Sequence, residues 1–258
     1  MRPVLRLGMR DLNLDVIEPI AEPQICNGSL LFRSARQEPV KIPMVHCPFC
    51  RELQSGRLPD FVDADIGSRI LHETDRFVVM PDISPLVPGH VMIVPKAHIL
   101  CYGAIEGTAW DEFLGIVNAT RTIIKEHYGP SVILEHGTCS LDDVADHVSH
   151  AHLHIVPAAI DIRDSLLDFN TTRIASLSDL SQWAARDEAY IYFESCTGER
   201  IVADRIVDLK RLFFRSEIAR RIGLPDPLWD WRRHILSDNL RSTVETLRRA
   251  NWKSYASC

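Results

Sequence analysis

The 258 residues, 46% of them hydrophobic, are enough for one large domain or for a domain with a sizeable appendage, built on a substantial core. A net charge of −6 disfavours nucleic acid as the main partner and makes small molecules the expected substrates. Charges break the N-terminal stretch Met1 to Asp11, and no later apolar run reaches bilayer length, so the expectation is a soluble, cytoplasmic protein without a membrane partner.

Residues 1–44 mix charges with short apolar runs such as Leu30-Leu31-Phe32, and Pro19, Pro23, Pro39 and Pro43 interrupt any long helix; an extension with one short hairpin is expected. Cys47-Pro48-Phe49-Cys50 follows, with the two-residue spacing of half a tetrahedral zinc site. The seven cysteines are odd in number and only this pair is closely spaced, which argues against a secreted disulfide framework. Histidines would have to complete a metal site. His98 and one of the histidines at 150–154 fit that need, His46 competes by spacing, and the alternative is a pair of buried or free thiols.

From Arg69 the pattern turns to strands: Phe77-Val78-Val79-Met80, a turn-rich loop over 81–89, then His90-Val91-Met92-Ile93-Val94. Thr108 to His127 carries Trp110, Phe113, Ile116, Val117, Thr120, Ile123 and Ile124 at helical spacing, with Gly129-Pro130 as the stop. Ser131 to Leu134 reads as a further strand, and a polar loop leads from Glu135 to Asp146. Beyond Ala158, residues 165–186 read as helical with loops, Ala189 to Phe193 as a strand, Leu209 to Ile222 as a basic amphipathic helix stopped by Gly223, and Arg241 to Trp252 as a last short helix. This order predicts an α+β fold with a mainly antiparallel sheet, and domain boundaries at 1–44, 45–160 and 161–258.

The most informative stretch is Val148 to Pro157, in which His150, His152 and His154 alternate with Ala151, Leu153 and Ile155. On a strand the three imidazoles share one face and the apolar residues the other. Desolvating three unused imidazoles beside Ile and Val would cost free energy, so the row points to chemistry, with a purely metal-binding triad as the alternative.

The row, with its following Ile155-Val156, resembles the motif of the histidine triad (HIT) superfamily. Cys47 to Cys50, Met80-Pro81-Asp82-Ile83-Ser84-Pro85, Pro88-Gly89-His90 and Ile93 to His98 resemble family segments in order and approximate spacing, over about residues 45–158. The resemblance implies a HIT-like antiparallel sheet with packed helices, followed by a mixed, mostly helical C-terminal extension. It implies a hydrolase that cleaves a nucleotidyl phosphoramidate, phosphoanhydride or dinucleoside polyphosphate at the α-phosphate. His152 would be the nucleophile that becomes nucleotidylated, and His154 would bind phosphate. A nucleotidyltransferase or phosphorylase with the same intermediate, or a non-catalytic nucleotide-binding module, is the alternative; family transferases typically carry Gln where His154 stands.

The same resemblance makes Cys47, Cys50, His98 and His150 the ligands of a structural zinc. It gives Asp82 the ribose hydroxyls and Ile83, Met80 and Phe49 the base, although a turn aspartate and core packing would explain these residues without function. It also implies a homodimer. Two departures stand out. Asp146 and His147 replace the family Gln and Ser or Thr, leaving His147 as the proton donor to the leaving group. Glu135 stands where the family has an asparagine near phosphate, an unfavourable place for an acid unless it is protonated, paired or turned away. Arg211, Arg215, Arg220, Arg221 and Arg232 would hold a distal phosphate or form a solvated helix face.

Overall fold

Side chains of an extended strand alternate between two faces, and here both faces are covered, so strand after strand is apolar throughout. The computed structural model describes residues 47–62, 65–138, 150–206 and 212–252, within one compact unit spanning residues 42–258. The extension expected over 1–44 lies outside the described residues. Eight strands form one antiparallel sheet in the order β1-β2-β3-β5-β4-β7-β8-β6. They are β1 (His72–Glu73), β2 (Phe77–Pro81), β3 (Val91–Pro95), β4 (Ser131–Gly137), β5 (Leu153–Pro157), β6 (Asn170–Arg173), β7 (Tyr190–Glu194) and β8 (Arg200–Asp204). The fold is α+β, as expected, and the strands beyond residue 160 extend the sheet that holds the histidines through the pairing of β7 with β4.

The helices are α1 (Pro48–Ser55), α2 (Ala109–Tyr128), α3 (Ser181–Ala184), α4 (Phe213–Ile222) and α5 (Ser237–Leu247). One sheet face packs Phe77, Val79, Ile93, Ile133, Leu153, Ile155 and Tyr192 against Phe113, Ile116, Ile123 and Ile124 of α2. The opposite face is covered in two pieces. Over β2 and β3, α1 lays Phe49 against Val78, Met80, Met92 and Val94. Over β4, β7 and β8, Ile218 of α4 joins Val132, Leu134, Ile191, Phe193 and Ala203. The strip between these two covers leaves room for a cleft.

Three expectations are corrected. The histidine strand expected from 148 begins at Leu153. Ahead of it, Ala151 N–H donates to Ile99 O at 2.7 Å and the His150 ring turns to Pro95 O, which draws residues 150–152 off the sheet ladder while keeping their alternation. Within 165–186, Asn170–Arg173 is an exposed edge strand on β8, made by backbone pairing that its polar sequence does not advertise. The last helix is Ser237–Leu247, because its buried Leu240, Val244 and Leu247 lie at i, i+4 and i+7.

Glu135 on β4 shares the α2 face with Ile133 and is completely buried. It accepts from Tyr102 N–H and from the Tyr190 hydroxyl, both at 2.7 Å. Gly137 makes this possible, because a Cβ there would sit 2.3 Å from Cζ of Tyr190. Burial pushes the Glu135 carboxyl up to about 7 against the pull of these two donors. A carboxyl raised in the fold contributes stability that is complete below about pH 4 and is lost as pH rises towards 7. Glu135→Gln removes the titration. Relative to wild type, the variant should therefore gain about 2 kcal/mol in unfolding free energy between about pH 5 and pH 8 in urea titrations. A difference that does not change with pH would mean that Glu135 is ionised throughout.

Candidate functional site

Cys47 caps the N-terminus of α1, and Cys50 N–H points back at its sulfur at 3.5 Å. The turn thereby aims both sulfurs at the histidines. His150 Nε2 lies 2.8 Å from Pro95 O, so Nε2 carries the proton and Nδ1 keeps the lone pair. That Nδ1 faces Cys47 Sγ at 3.4 Å and Cys50 Sγ at 3.5 Å, and His98 Nδ1 lies 3.4 Å from Cys50 Sγ. The four candidate ligand atoms lie within 4.8 Å of one another. Tetrahedral zinc with ordinary bond lengths separates sulfur and nitrogen ligands by about 3.5 Å, so the donor set and its spacing fit Zn²⁺. Burial, with Cys47 beside it, pushes the Cys50 thiol up to about 12, a penalty on thiolate formation that a bound cation reverses. His46 lies outside the described residues.

His152 and His154 adjoin this cluster. His152 Nδ1 is 2.8 Å from His150 O, which fixes the proton on Nδ1 and the lone pair on Nε2. The His152 and His154 rings meet edge-on with centroids 4.9 Å apart, and Phe49 packs against both His150 and His152. His154 is oriented by a residue that sequence reasoning missed. Leu86 N–H donates to His90 Nδ1 at 3.3 Å, so His90 Nε2–H donates to His154 Nδ1 at 3.0 Å and leaves the His154 proton on Nε2. Burial lowers His90 to about 4 and carries His154 well below its ordinary value, so both rings are neutral near pH 7. The signal for His90 was its period-two placement ahead of Met92, which pairs with His154 across the strands.

His152 and His154 line a cleft of about 1160 Å³, walled on one side by α1 and the segment after it and on the other by Leu212 to Arg215 and Trp231. Phe49 and Ile83 line it. Met80 does not: it is fully buried beneath α1, and its cross-strand partner Met92 reaches the cleft instead. On β4 it is His136, not Glu135, that lines the cleft, because alternation sends Glu135 to the α2 face. His147 lies outside the described residues, as does Arg211.

Asp82 is at the cleft wall but already paired. Its Oδ1 accepts from Arg215 Nη1 at 2.9 Å and from Ser84 N–H at 2.8 Å, and its Oδ2 is 3.8 Å from His154 Nδ1. Burial alone would raise this carboxyl, but Arg215 and the neighbouring His90 and His154 rings hold it well below the usual carboxylate range. Asp82, His90 and His154 lie close enough to suggest a second metal cluster. Their hydrogen bonding places a proton between the rings, and Arg215 already supplies the countercharge, which disfavours a cation. Of the other arginines, Arg220 pairs with Glu217, Arg221 with Asp164, and Arg232 lies over Trp231.

Residues 63–159 match the family model described as the HIT domain. The chain carries a HIT domain. An adenosine 5'-monophosphoramidase of Xenopus tropicalis is 26% identical over 121 residues, covering 44% of this chain and 68% of the relative. An asymmetrical bis(5'-nucleosyl)-tetraphosphatase of Schizosaccharomyces pombe is 22% identical over 121 residues, covering 43% of this chain and 64% of the relative. A zinc-bound histidine triad family protein from Mycobacterium smegmatis has a TM-score of 0.34 and 20% identity, over 55% of this chain and 93% of that one. The two cysteines and Phe49 precede the matched HIT domain, and Phe213, Phe214, Arg215 and Trp231 follow it, so the cleft is walled from outside the domain on both sides. Cys47→Ala should abolish zinc content in metal analysis of the purified protein and lower its unfolding free energy by several kcal/mol. Unchanged stability with no metal in the wild type would remove zinc from these residues.

Proposed function

We propose that this chain is a nucleotide hydrolase that cleaves at the α-phosphate of a nucleotidyl phosphoramidate, phosphoanhydride or dinucleoside polyphosphate through a covalent nucleotidyl-His152. The observation that carries the reading is the bond from His152 Nδ1–H to His150 O, which fixes the tautomer of a ring that lines the cleft beside a second, neutral imidazole. The two relatives named above act on adenosine phosphoramidate and dinucleoside tetraphosphate, and these activities support the same substrate class.

In the first step His152 Nε2 attacks phosphorus and forms a P–N bond. The bond to the leaving group breaks with its electron pair, and a proton reaches the leaving atom. We assign that proton to His147, whose place before the triad is that of the family hydroxyl. His154 Nε2–H donates to a non-bridging phosphate oxygen, held in that direction by His90. Water then attacks phosphorus and gives up a proton to His147, which restores it, while the P–N bond breaks and its electron pair returns to His152 Nε2. Cys47, Cys50, His98 and His150 would hold zinc as a structural clamp that fixes the segment carrying the nucleophile.

His152→Ala should lower turnover of adenosine 5'-phosphoramidate or diadenosine tetraphosphate by about 10³-fold or more while leaving zinc content and unfolding free energy close to wild type. Intact mass of wild type, quenched during turnover, should show a nucleotidyl adduct that the variant lacks. Retained turnover in the variant would overturn His152 as the nucleophile. Adduct transfer to phosphate or a sugar phosphate in preference to water would make the protein a transferase.

A further inference from the structure

Two buried carboxylates line the cleft near the reacting histidines, and an arginine already engages each. Glu52 receives Arg69 Nε on Oε1 and Nη2 on Oε2, both at 2.7 Å, in a bidentate pair. Asp82, 5% exposed, receives Arg215 Nη1 and Ser84 N–H on one oxygen. Arg215 is itself held at its other nitrogens, with Nη2 donating to Ser84 O and Nε to Trp229 O, both at 2.7 Å. It cannot swing away without leaving two backbone carbonyls unpaired and a buried carboxylate without its countercharge.

A vicinal diol is gripped best by a carboxylate with both oxygens open to it, and neither buried carboxylate at the cleft offers that. The apolar surface is large instead. Phe49, Ile83 and Met92 lie on one side and Phe213 and Phe214 on the other. At the rim Phe61, 58% exposed, stacks on Trp231 at 6.2 Å and 27°. Such walls hold a planar base and the carbon framework of a sugar, and are indifferent to sugar hydroxyls.

Building on the hydrolase reading, we propose that Arg215 has withdrawn Asp82 from substrate, so that the site accepts nucleotides irrespective of their 2'- and 3'-hydroxyls, deoxynucleotides included. Arg215 is thus a specificity-determining residue contributed from beyond the HIT domain.

The test compares adenosine 5'-phosphoramidate with its 2'-deoxy and 2',3'-dideoxy analogues on the full-length wild-type protein. It measures kcat/KM for all three and, without turnover, the Kd values of AMP and 2',3'-dideoxy-AMP. Expected are values within about fivefold across each series; a diol held by an ionised carboxylate would lose roughly ten- to a hundredfold per hydroxyl, and any loss above about fivefold overturns the proposal. Asp82→Asn should then change all three substrates by the same factor, whereas a loss confined to the ribonucleotide would also overturn it. Sugar discrimination with turnover intact removes this inference alone. Failure of every nucleotide to bind or react removes the hydrolase reading and this inference together.

Discussion

Alternation of side chains through residues 150–156 is the constraint from which the rest of the site follows. Ala151, Leu153 and Ile155 are drawn into the core against α2, and the burial of three apolar side chains fixes the phase of the segment. His150, His152 and His154 must then emerge on the opposite face, within reach of one another. A one-residue slip would bury three imidazoles and expose three apolar residues, so the register is defended by the core rather than by the site. The backbone contributes as well, because His150 O, two residues back, is what selects the tautomer of His152.

That opposite face is useful because it is incompletely covered. Packing α1 over β2 and β3 and α4 over β4, β7 and β8 leaves β5 at the floor of a cleft. The cover from α4 is locked down by charge as well as by apolar contact. Arg215 crosses from α4 to Asp82, and Arg69 pairs with Glu52 on the other wall. Buried ion pairs of this kind contribute little net stability over apolar substitutes, but breaking one partner is costly, so they fix geometry strongly. The segment beyond residue 160 is therefore part of the structure around the cleft, both through sheet pairing and through this clamp.

The histidines of the site fall into distinct states for physical reasons. His150 has a carbonyl on one nitrogen and two sulfurs facing the other, which suits a soft metal ligand. His90 and His154 share a proton in a buried pair, with the Asp82–Arg215 ion pair at its edge. Glu135 shows the same logic across the sheet: an acid placed beside phosphate would oppose catalysis, and alternation on β4 has sent it to two donors behind the sheet.

By itself the sequence determined the α+β class, the long helix that appears as Ala109–Tyr128, the strands at 77–81 and 91–95, and a candidate ligand set of Cys47 and Cys50 with His98 and one histidine of 150–154, which the fold narrows to His150. These rest on local periodicity and on ligand spacing, which a linear chain displays directly. Tertiary structure alone decided which face of β4 carries His136 and which Glu135, because both faces are apolar and the pattern has no preferred side. It alone revealed that Met80 lies under α1 and that Asn170–Arg173 is an edge strand, since neither depends on local composition. It alone joined Arg215 to Asp82, residues separated by 133 positions. A long-range ion pair leaves no periodic trace, and its existence follows only from how α4 is laid across the histidine face.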